Sequence, residues 1–330
     1  MTDLTRRQML MGSAAAAIAA GLPLAASAPA RAAPPPQFGK QAQAFYRYKL
    51  GSFEITVVTD GKSRVPITDE FVINAKKSEV QAALAALFMD TEFFYGPYNP
   101  IVVNTGANLA LIDTGNGEAA FMQSKGERGR MNANLETAGF SRADIDRVVI
   151  SHFHADHVNG LLLADDKRAF PNAEIWVPAG EWKFWMDDAE MAKASPGRMT
   201  ELFQNNRRVF DTLERKVKVY AWGDDVAPGV TAVATPGHSI GHTSFMVSSG
   251  GKRVFVQQDV NNNAAVFGPH PDWHGFFDQD PPAASETRKR VYDMLASEKI
   301  PVQAYHHAFP GLGRVEKAGD GHKVTPVSSV

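Results

Sequence analysis

Along the chain, apolar positions switch between a period of two and a period near 3.6, so strands and helices can be placed before any chemistry is considered. Phe53, Ile55 and Val57 alternate with polar neighbours ahead of Asp60-Gly61, which predicts a strand pair over 46–60 closed by a turn. Short apolar runs predict further strands at 101–103, 109–112, 148–150, 175–177, 217–220, 230–234, 244–247, 254–256 and 302–305. Gly250-Gly251 joins two of them as a hairpin. Ser78-x-x-Gln81 reads as a capping box opening a helix that puts Val80, Leu84 and Leu87 on one face. Other helices are expected near 132–138 (closed by Gly139), at 161–163, 181–187, 201–213 and 282–297, the last with Val291, Met294 and Leu295 in step. The strands fall into two groups with helices after each, and no linker or repeat interrupts them. An α+β fold follows, a four-layer αββα sandwich in one domain over 44–330.

The first residues break this pattern. Thr5-Arg6-Arg7-Gln8-Met9-Leu10 resembles a twin-arginine export signal, followed by an Ala-rich stretch and an Ala30-Arg31-Ala32 cleavage pattern. Residues 1–32 are thus expected to be a signal peptide and 33–43 a flexible Pro-rich leader, with export to the periplasm or beyond. The stretch is short and interrupted by Pro23, so no stable membrane insertion is expected after cleavage. Of 330 residues, 44% are hydrophobic and 21% charged, which suits a globular protein with a full core. Formal charge is −2; losing the signal removes three basic groups and one acidic, leaving −4. With no basic patch bearing aromatics, nucleic acid is not an expected partner. Arg207-Arg208 and Arg288-Lys289-Arg290 read as decoration of solvated helix faces. There is no Cys, hence neither disulfide nor thiolate ligand.

The candidate chemistry starts at Ser151-His152-Phe153-His154-Ala155-Asp156-His157, just past a predicted strand. His152 and His154 are two apart and face the same way on an extended chain. A turn after His154 brings Asp156 and His157 back beside them. Three imidazoles and a carboxylate suit a borderline-soft divalent metal such as zinc, with Mn2+, Co2+ or Fe2+ also compatible with an N/O donor set. Further candidates sit at other strand ends: His238 in Pro236-Gly237-His238, Asp259 after 254–258, and the adjacent pair His306-His307.

These motifs resemble the metallo-β-lactamase superfamily over about residues 45–325, the HxHxDH run being the most specific, with Asp113-Thr114-Gly115 and Pro-Gly-His in support. Within it, Tyr46-Arg47, Gly51-x-Phe53-Glu54-Ile55-Thr56, Ala169-Phe170-Pro171-Asn172-Ala173, Gly241-His242-Thr243 and Phe309-Pro310-Gly311-x-Gly313 are similar to exported methyl parathion hydrolase-like enzymes. The resemblance implies two metal ions. His152, His154 and His238 would hold one, Asp156, His157 and His306 the other, with Asp259 between them. Spacing to Phe309-Pro310-Gly311 favours His306 over His307. His242 is implied as a residue that orients the ligands, and Asp113 as one that fixes a turn beneath them. Gln258 departs from the usual Gly and should pack close to or under the metals, and the segment 267–282 is longer, suiting a pocket wall or lid.

The implied activity is hydrolysis of a phosphotriester, ester or lactone by a metal-bridging hydroxide, with Asp156 and Asp259 orienting the nucleophile. An acyl-homoserine lactonase or arylesterase is the alternative within the same chemistry. A sulfur dioxygenase-like, iron-dependent oxidoreductase is the alternative outside it. Trp185, and more loosely Trp182, Phe121 and Phe203, are expected to line a pocket for a small apolar substrate. His270, His274 and His322 are read as surface or rim residues. The sequence is compatible with a homodimer.

Overall fold

A computed structural model describes residues 45–330; the expected signal peptide and leader lie outside the described residues. The first half lays down β1 (Phe45–Leu50), β2 (Phe53–Val58), β3 (Gly61–Pro66), β4 (Phe93–Tyr98), β5 (Ile101–Asn104), β6 (Leu109–Ile112), β7 (Arg147–Val149), β8 (Glu174–Pro178) and β9 (Lys218–Tyr220). Seven of these form one sheet in the order β1-β2-β5-β6-β7-β8-β9, while β3 and β4 make a separate ribbon. The second half adds β10 (Asp225–Ala227), β11 (Val230–Ala234), β12 (Thr243–Ser249), β13 (Lys252–Gln258), β14 (Val302–Ala304), β15 (Leu312–Ala318) and β16 (Gly321–Pro326), which pair in sequence order as a second sheet. Pairing is parallel from β6 to β9 and between β13 and β14, and antiparallel elsewhere.

Three apolar layers hold the sandwich together. Ile55, Val57, Ile101, Val103 and Ile112 of the first sheet meet Val230, Phe245, Val247, Val254 and Val256 of the second. The other face of the first sheet (Val102, Leu111, Val148, Ile175) is covered by helices bearing Leu135, Trp185, Phe203, Val209 and Phe210. Phe255 and Val302 of the second sheet pack against Val291, Tyr292 and Leu295 of the helix Pro281–Glu298. Period-two strands bury both faces here, as a sheet between layers must. The four-layer αββα arrangement expected from the sequence is the one observed.

Several local expectations change. The first helix is Lys77–Ala85, and Glu79, not Gln81, closes its capping box by accepting from the Lys76 N–H at 2.8 Å. Ser78 lies inside that helix, and Leu87, past its end, is exposed. Residues 161–163 form no α-helix; a 3-10 turn (Asn159–Leu161) buries Leu161 and Leu162 just past the 152–157 loop. The β3–β4 ribbon and strands β15 and β16 had no counterpart in the sequence reading. Pro66, Pro97 and Gly96 disguise the ribbon, and β15 carries Arg314, Glu316 and Lys317 outward. Arg288 is not solvated but 1% exposed; it donates to the carbonyls of Val260, Pro271 and Trp273. Arg207 is likewise largely covered, bonded to the Trp185 carbonyl and Asp188, while Arg208 is exposed as expected. No helix of the described residues is long and apolar enough to cross a membrane.

Candidate metal centre

Strands β6, β7, β11, β13 and β14 each run out at one rim of the sandwich, and each delivers a polar side chain there. Asp113 follows β6, His152 follows β7, His238 follows β11, Asp259 follows β13 and His306 follows β14. The helical turn Ala155–Val158 folds Asp156 and His157 back onto the same spot. His154 Nδ1 lies 3.0 Å from His152 Nε2 and 2.9 Å from His238 Nε2. Asp156, His157 and His306 form a second group of ligand atoms within 4.8 Å of one another. Asp259 spans the two: one oxygen is 3.3 Å from His157 Nε2, the other 3.2 Å from His238 Nε2 and 2.9 Å from His306 Nε2. His306 thus faces the cluster, whereas His307 turns to the Asn261 carbonyl.

The outer nitrogens explain why the inner ones converge. His157 Nδ1 donates to Asp113 (2.6 Å), His238 Nδ1 to Asp278 (2.8 Å), His306 Nδ1 to the Pro97 carbonyl (2.9 Å) and His152 Nδ1 to Ser151 Oγ (3.0 Å). The tautomers assigned from these bonds turn four Nε2 atoms inward, toward one another and Asp259, where protons cannot serve them all without crowding like charge. His157 Nε2 and Asp259 Oδ1 are buried with no hydrogen-bond partner. Unpartnered acceptors facing one another in a water-poor site fit cations, and the all-N/O donor set fits zinc or its neighbours.

Charge points the same way. Burial pushes His152 and His154 down, so they stay neutral. It also opposes charge on His238, yet Asp259 and Asp278 carry that imidazole up to about 9. Burial tends to raise Asp259, but His306, His157 and His238 hold it well below the usual carboxylate range. Buried carboxylates therefore draw positive charge into this rim.

Supporting residues complete the cage. Asp113, in the left-handed region at φ 59°, accepts from the Ser151 amide and hydroxyl and from Gln258 Nε2, all at 2.7 Å, besides His157. It therefore orients His157 as well as a turn, and Gln258 packs beside it under the cluster. His242 accepts from the Asp259 amide at 3.1 Å and donates to the Thr235 carbonyl, pinning the backbone of Asp259. Two residues that sequence reasoning passed over matter as much. Glu181, fully buried, accepts from Phe153 N (2.8 Å), Trp185 Nε1 (2.9 Å), Ser239 Oγ (2.7 Å) and Gly241 N (2.6 Å), tying the two His-bearing loops together. Asp278 stands between His238 and Arg288, 3.7 Å from the guanidinium.

A cavity of about 270 Å3 opens onto the cluster, walled by Phe71, Phe94, Tyr98, Leu202, Phe276 and Phe277. None of the four aromatics expected there lines it. Trp185 is 0% exposed and packs on Phe203, because its pairing with Glu181 one helical turn earlier turns it into the core. Trp182 packs against Phe153 and Phe210, and Phe121 lies on the surface. The aromatic wall comes instead from Phe71, from Phe94 and Tyr98 of β4, and from Phe276 and Phe277 of the 267–282 segment. That segment is a fixed wall, held by Phe276 N to Phe71 O, Gln279 N to His238 O and Asp280 N to Gly237 O. Arg198 clasps the same wall through the Phe277 carbonyl at 3.0 Å. His270 stacks on Trp273, and His322, which the sequence placed at the surface, is buried against Tyr292 and Asp293.

The family model for the metallo-β-lactamase superfamily matches residues 95–256. The solved structure of AidC, a dizinc quorum-quenching lactonase in complex with a product, is 28% identical with a TM-score of 0.80, over 87% of this chain and 99% of that one. The chain belongs to the metallo-β-lactamase superfamily. As a metallo-β-lactamase-superfamily protein of this build it is a metal-dependent hydrolase. A second structure, the hydrolase AbOPH of the same superfamily, is 26% identical with a TM-score of 0.79 and the same coverage. Among curated proteins, an N-acyl homoserine lactonase of Bacillus thuringiensis is 27% identical over 216 residues, 63% of this chain and 76% of that protein.

Proposed function

We propose that this superfamily member hydrolyses a lactone or carboxylic ester whose acyl part is apolar, using two divalent ions, zinc being the first choice. His152, His154 and His238 would hold one ion, Asp156, His157 and His306 the other, with Asp259 shared. Two bound ions would supply Lewis acidity to the scissile carbonyl and make a water acidic enough to attack near neutral pH. The chain's own residues do the rest. Asp259, held by the side-chain amide of Asn262 at 2.9 Å and through its backbone by His242, is fixed to orient the attacking water, and Asp156, which lines the cavity, is placed to take its proton. Burial, reinforced by Asp156, pushes the Tyr98 phenol up, so it keeps its proton and can donate to a substrate oxygen in the cavity it lines. Phe71, Phe94, Phe276 and Phe277 exclude water and receive the acyl chain. Water oxygen adds to the acyl carbon, the bond to the alcohol oxygen breaks, and that oxygen receives the proton Asp156 took from the water.

The observation carrying this reading is the aromatic cavity opening directly onto Asp259 and His306. Lactonase relatives support the acyl substrate over the phosphotriester. A panel of acyl lactones, aryl esters and aryl phosphotriesters on metal-quantified protein tests it. Lactones or esters should lead, and a clear lead for phosphotriesters would overturn the substrate assignment. Bound iron with oxygen uptake would overturn hydrolysis itself.

A further inference from the structure

A second cavity of about 680 Å3 also reaches Tyr98 and Asp156, and no phenylalanine lines it. Its walls are polar where the first cavity is aromatic: Asn116, Glu118, Gln123, Arg128, Asn159 and Asn205. The two cavities share Tyr98, Ala155 and Asp156, so a substrate poised at the cluster can reach into both.

Charge within it is uneven. Glu118 is matched by Arg142 at 3.4 Å and also accepts from Asn132 and the Ala164 amide. Arg208 is matched by Asp166 at 2.7 Å. Asp156 is turned to His157 and His306. Arg128 alone among these has no counter-charge: its guanidinium makes no hydrogen bond or ion pair with any described residue, and its Nε is shut off from water. Its backbone is nevertheless fixed, bridged to Gly61 and donating to Ser124 Oγ at 3.1 Å. A guanidinium whose Nε–H is buried and unanswered is costly unless something else answers it.

We propose that this polar cavity is a subsite for a carboxylate carried on the alcohol side of the substrate, with Arg128 as its receptor. The idea rests on the ester reading above and names the missing half of the substrate: apolar acyl chain toward Phe276 and Phe277, anionic alcohol portion toward Arg128. A monoanion suits a single guanidinium in a cavity that Glu118 and Asp166 also line better than a dianionic phosphate does. The planar fork of Arg also matches a carboxylate with two parallel bonds.

Two matched esters on the metal-loaded full chain test it: 4-(hexanoyloxy)butanoate, and butyl hexanoate as its neutral counterpart. The wild type should favour the carboxylate ester. Arg128→Met should cut the ratio of the two kcat/KM values about 10- to 100-fold, mainly through KM, the weight of a charge-assisted pair. Arg128→Lys, a point charge without the fork, should restore part of the ratio. No preference in the wild type, or equal losses on both esters in Arg128→Met, overturns the subsite. Binding of glutarate against pentanoate, by calorimetry, separates the two readings. Glutarate should bind more tightly, and only while Arg128 is present. If neither ester is cleaved but glutarate still depends on Arg128, the ester assignment fails and the subsite stands. If glutarate gains nothing from Arg128, the subsite fails whatever the kinetics.

Discussion

Replacing Glu181 by Gln changes one atom, yet it should loosen both His-bearing loops. The carboxylate accepts two bonds on each oxygen: Phe153 N and Trp185 Nε1 on one, Ser239 Oγ and Gly241 N on the other. Three of those donors are N–H groups that cannot turn into acceptors. A Gln amide settles best with its oxygen toward Phe153 and Trp185, since Ser239 can rotate and accept. The Gly241 N–H then faces an NH2 group, an unsatisfied buried donor worth about 1–3 kcal/mol, and the surviving bonds lose about 1 kcal/mol of charge assistance. Working the other way, burial pushes the Glu181 carboxyl up, so a neutral side chain recovers part of the desolvation cost. The balance is a loss of about 2 kcal/mol. Urea unfolding at fixed metal concentration reads this directly, and competition with a chelator reads the slackened cage. Unchanged midpoint and unchanged metal retention would refute the clamp.

Three further expectations follow from the geometry. Arg288→Met leaves Asp278 buried beside His238 without its cation; stability should fall by about 3–5 kcal/mol and metal affinity by about 10- to 100-fold, and a variant that holds metal normally would show that Asp278 needs no anchor. Phe277→Ala should raise KM for long acyl chains, while Trp185→Phe should cost stability and leave chain-length preference intact; the reverse result would put the pocket back where the sequence suggested. Burial pushes the Asp60 carboxyl up to about 6, against the donors of Asn116, Met131 and Gly129. The folded protein then binds that proton more tightly than the unfolded chain, so Asp60 adds stability below about pH 4 that is lost as pH rises through about 6, roughly 3 kcal/mol in all. Wild-type stability minus that of Asp60→Asn should fall over this range; a flat difference contradicts the shift.

Much of the candidate centre could be read from the chain because its candidate ligands are rare residue types placed by strand ends. His152, His154 and His157 share one short loop, and His238, Asp259 and His306 each follow an apolar run that marks a buried strand. The structure brings all of these, with Asp156, to one rim. The supporting carboxylates were not legible in the same way. Glu181 looks like any first-turn helix acid, and only its four donors from two distant loops reveal its part. Asp278 and Arg288 sit in segments whose composition suits a surface, and tertiary packing alone buries them. Trp185 misled for a related reason: an aromatic near a metal loop can face the mouth or the core, and its partner one turn away decides which. The β3–β4 ribbon was hidden because Pro and Gly break the alternation by which strands are recognised.

The proposed hydrolysis depends on two cations held among five histidines and two aspartates. Elemental analysis of the purified chain, paired with hydrolysis of a lactone before chelation, after it, and after zinc is restored, tests this most directly. About two divalent ions per chain, activity lost with them and regained with zinc, is the expected result. Full hydrolysis by protein stripped of metal would contradict it.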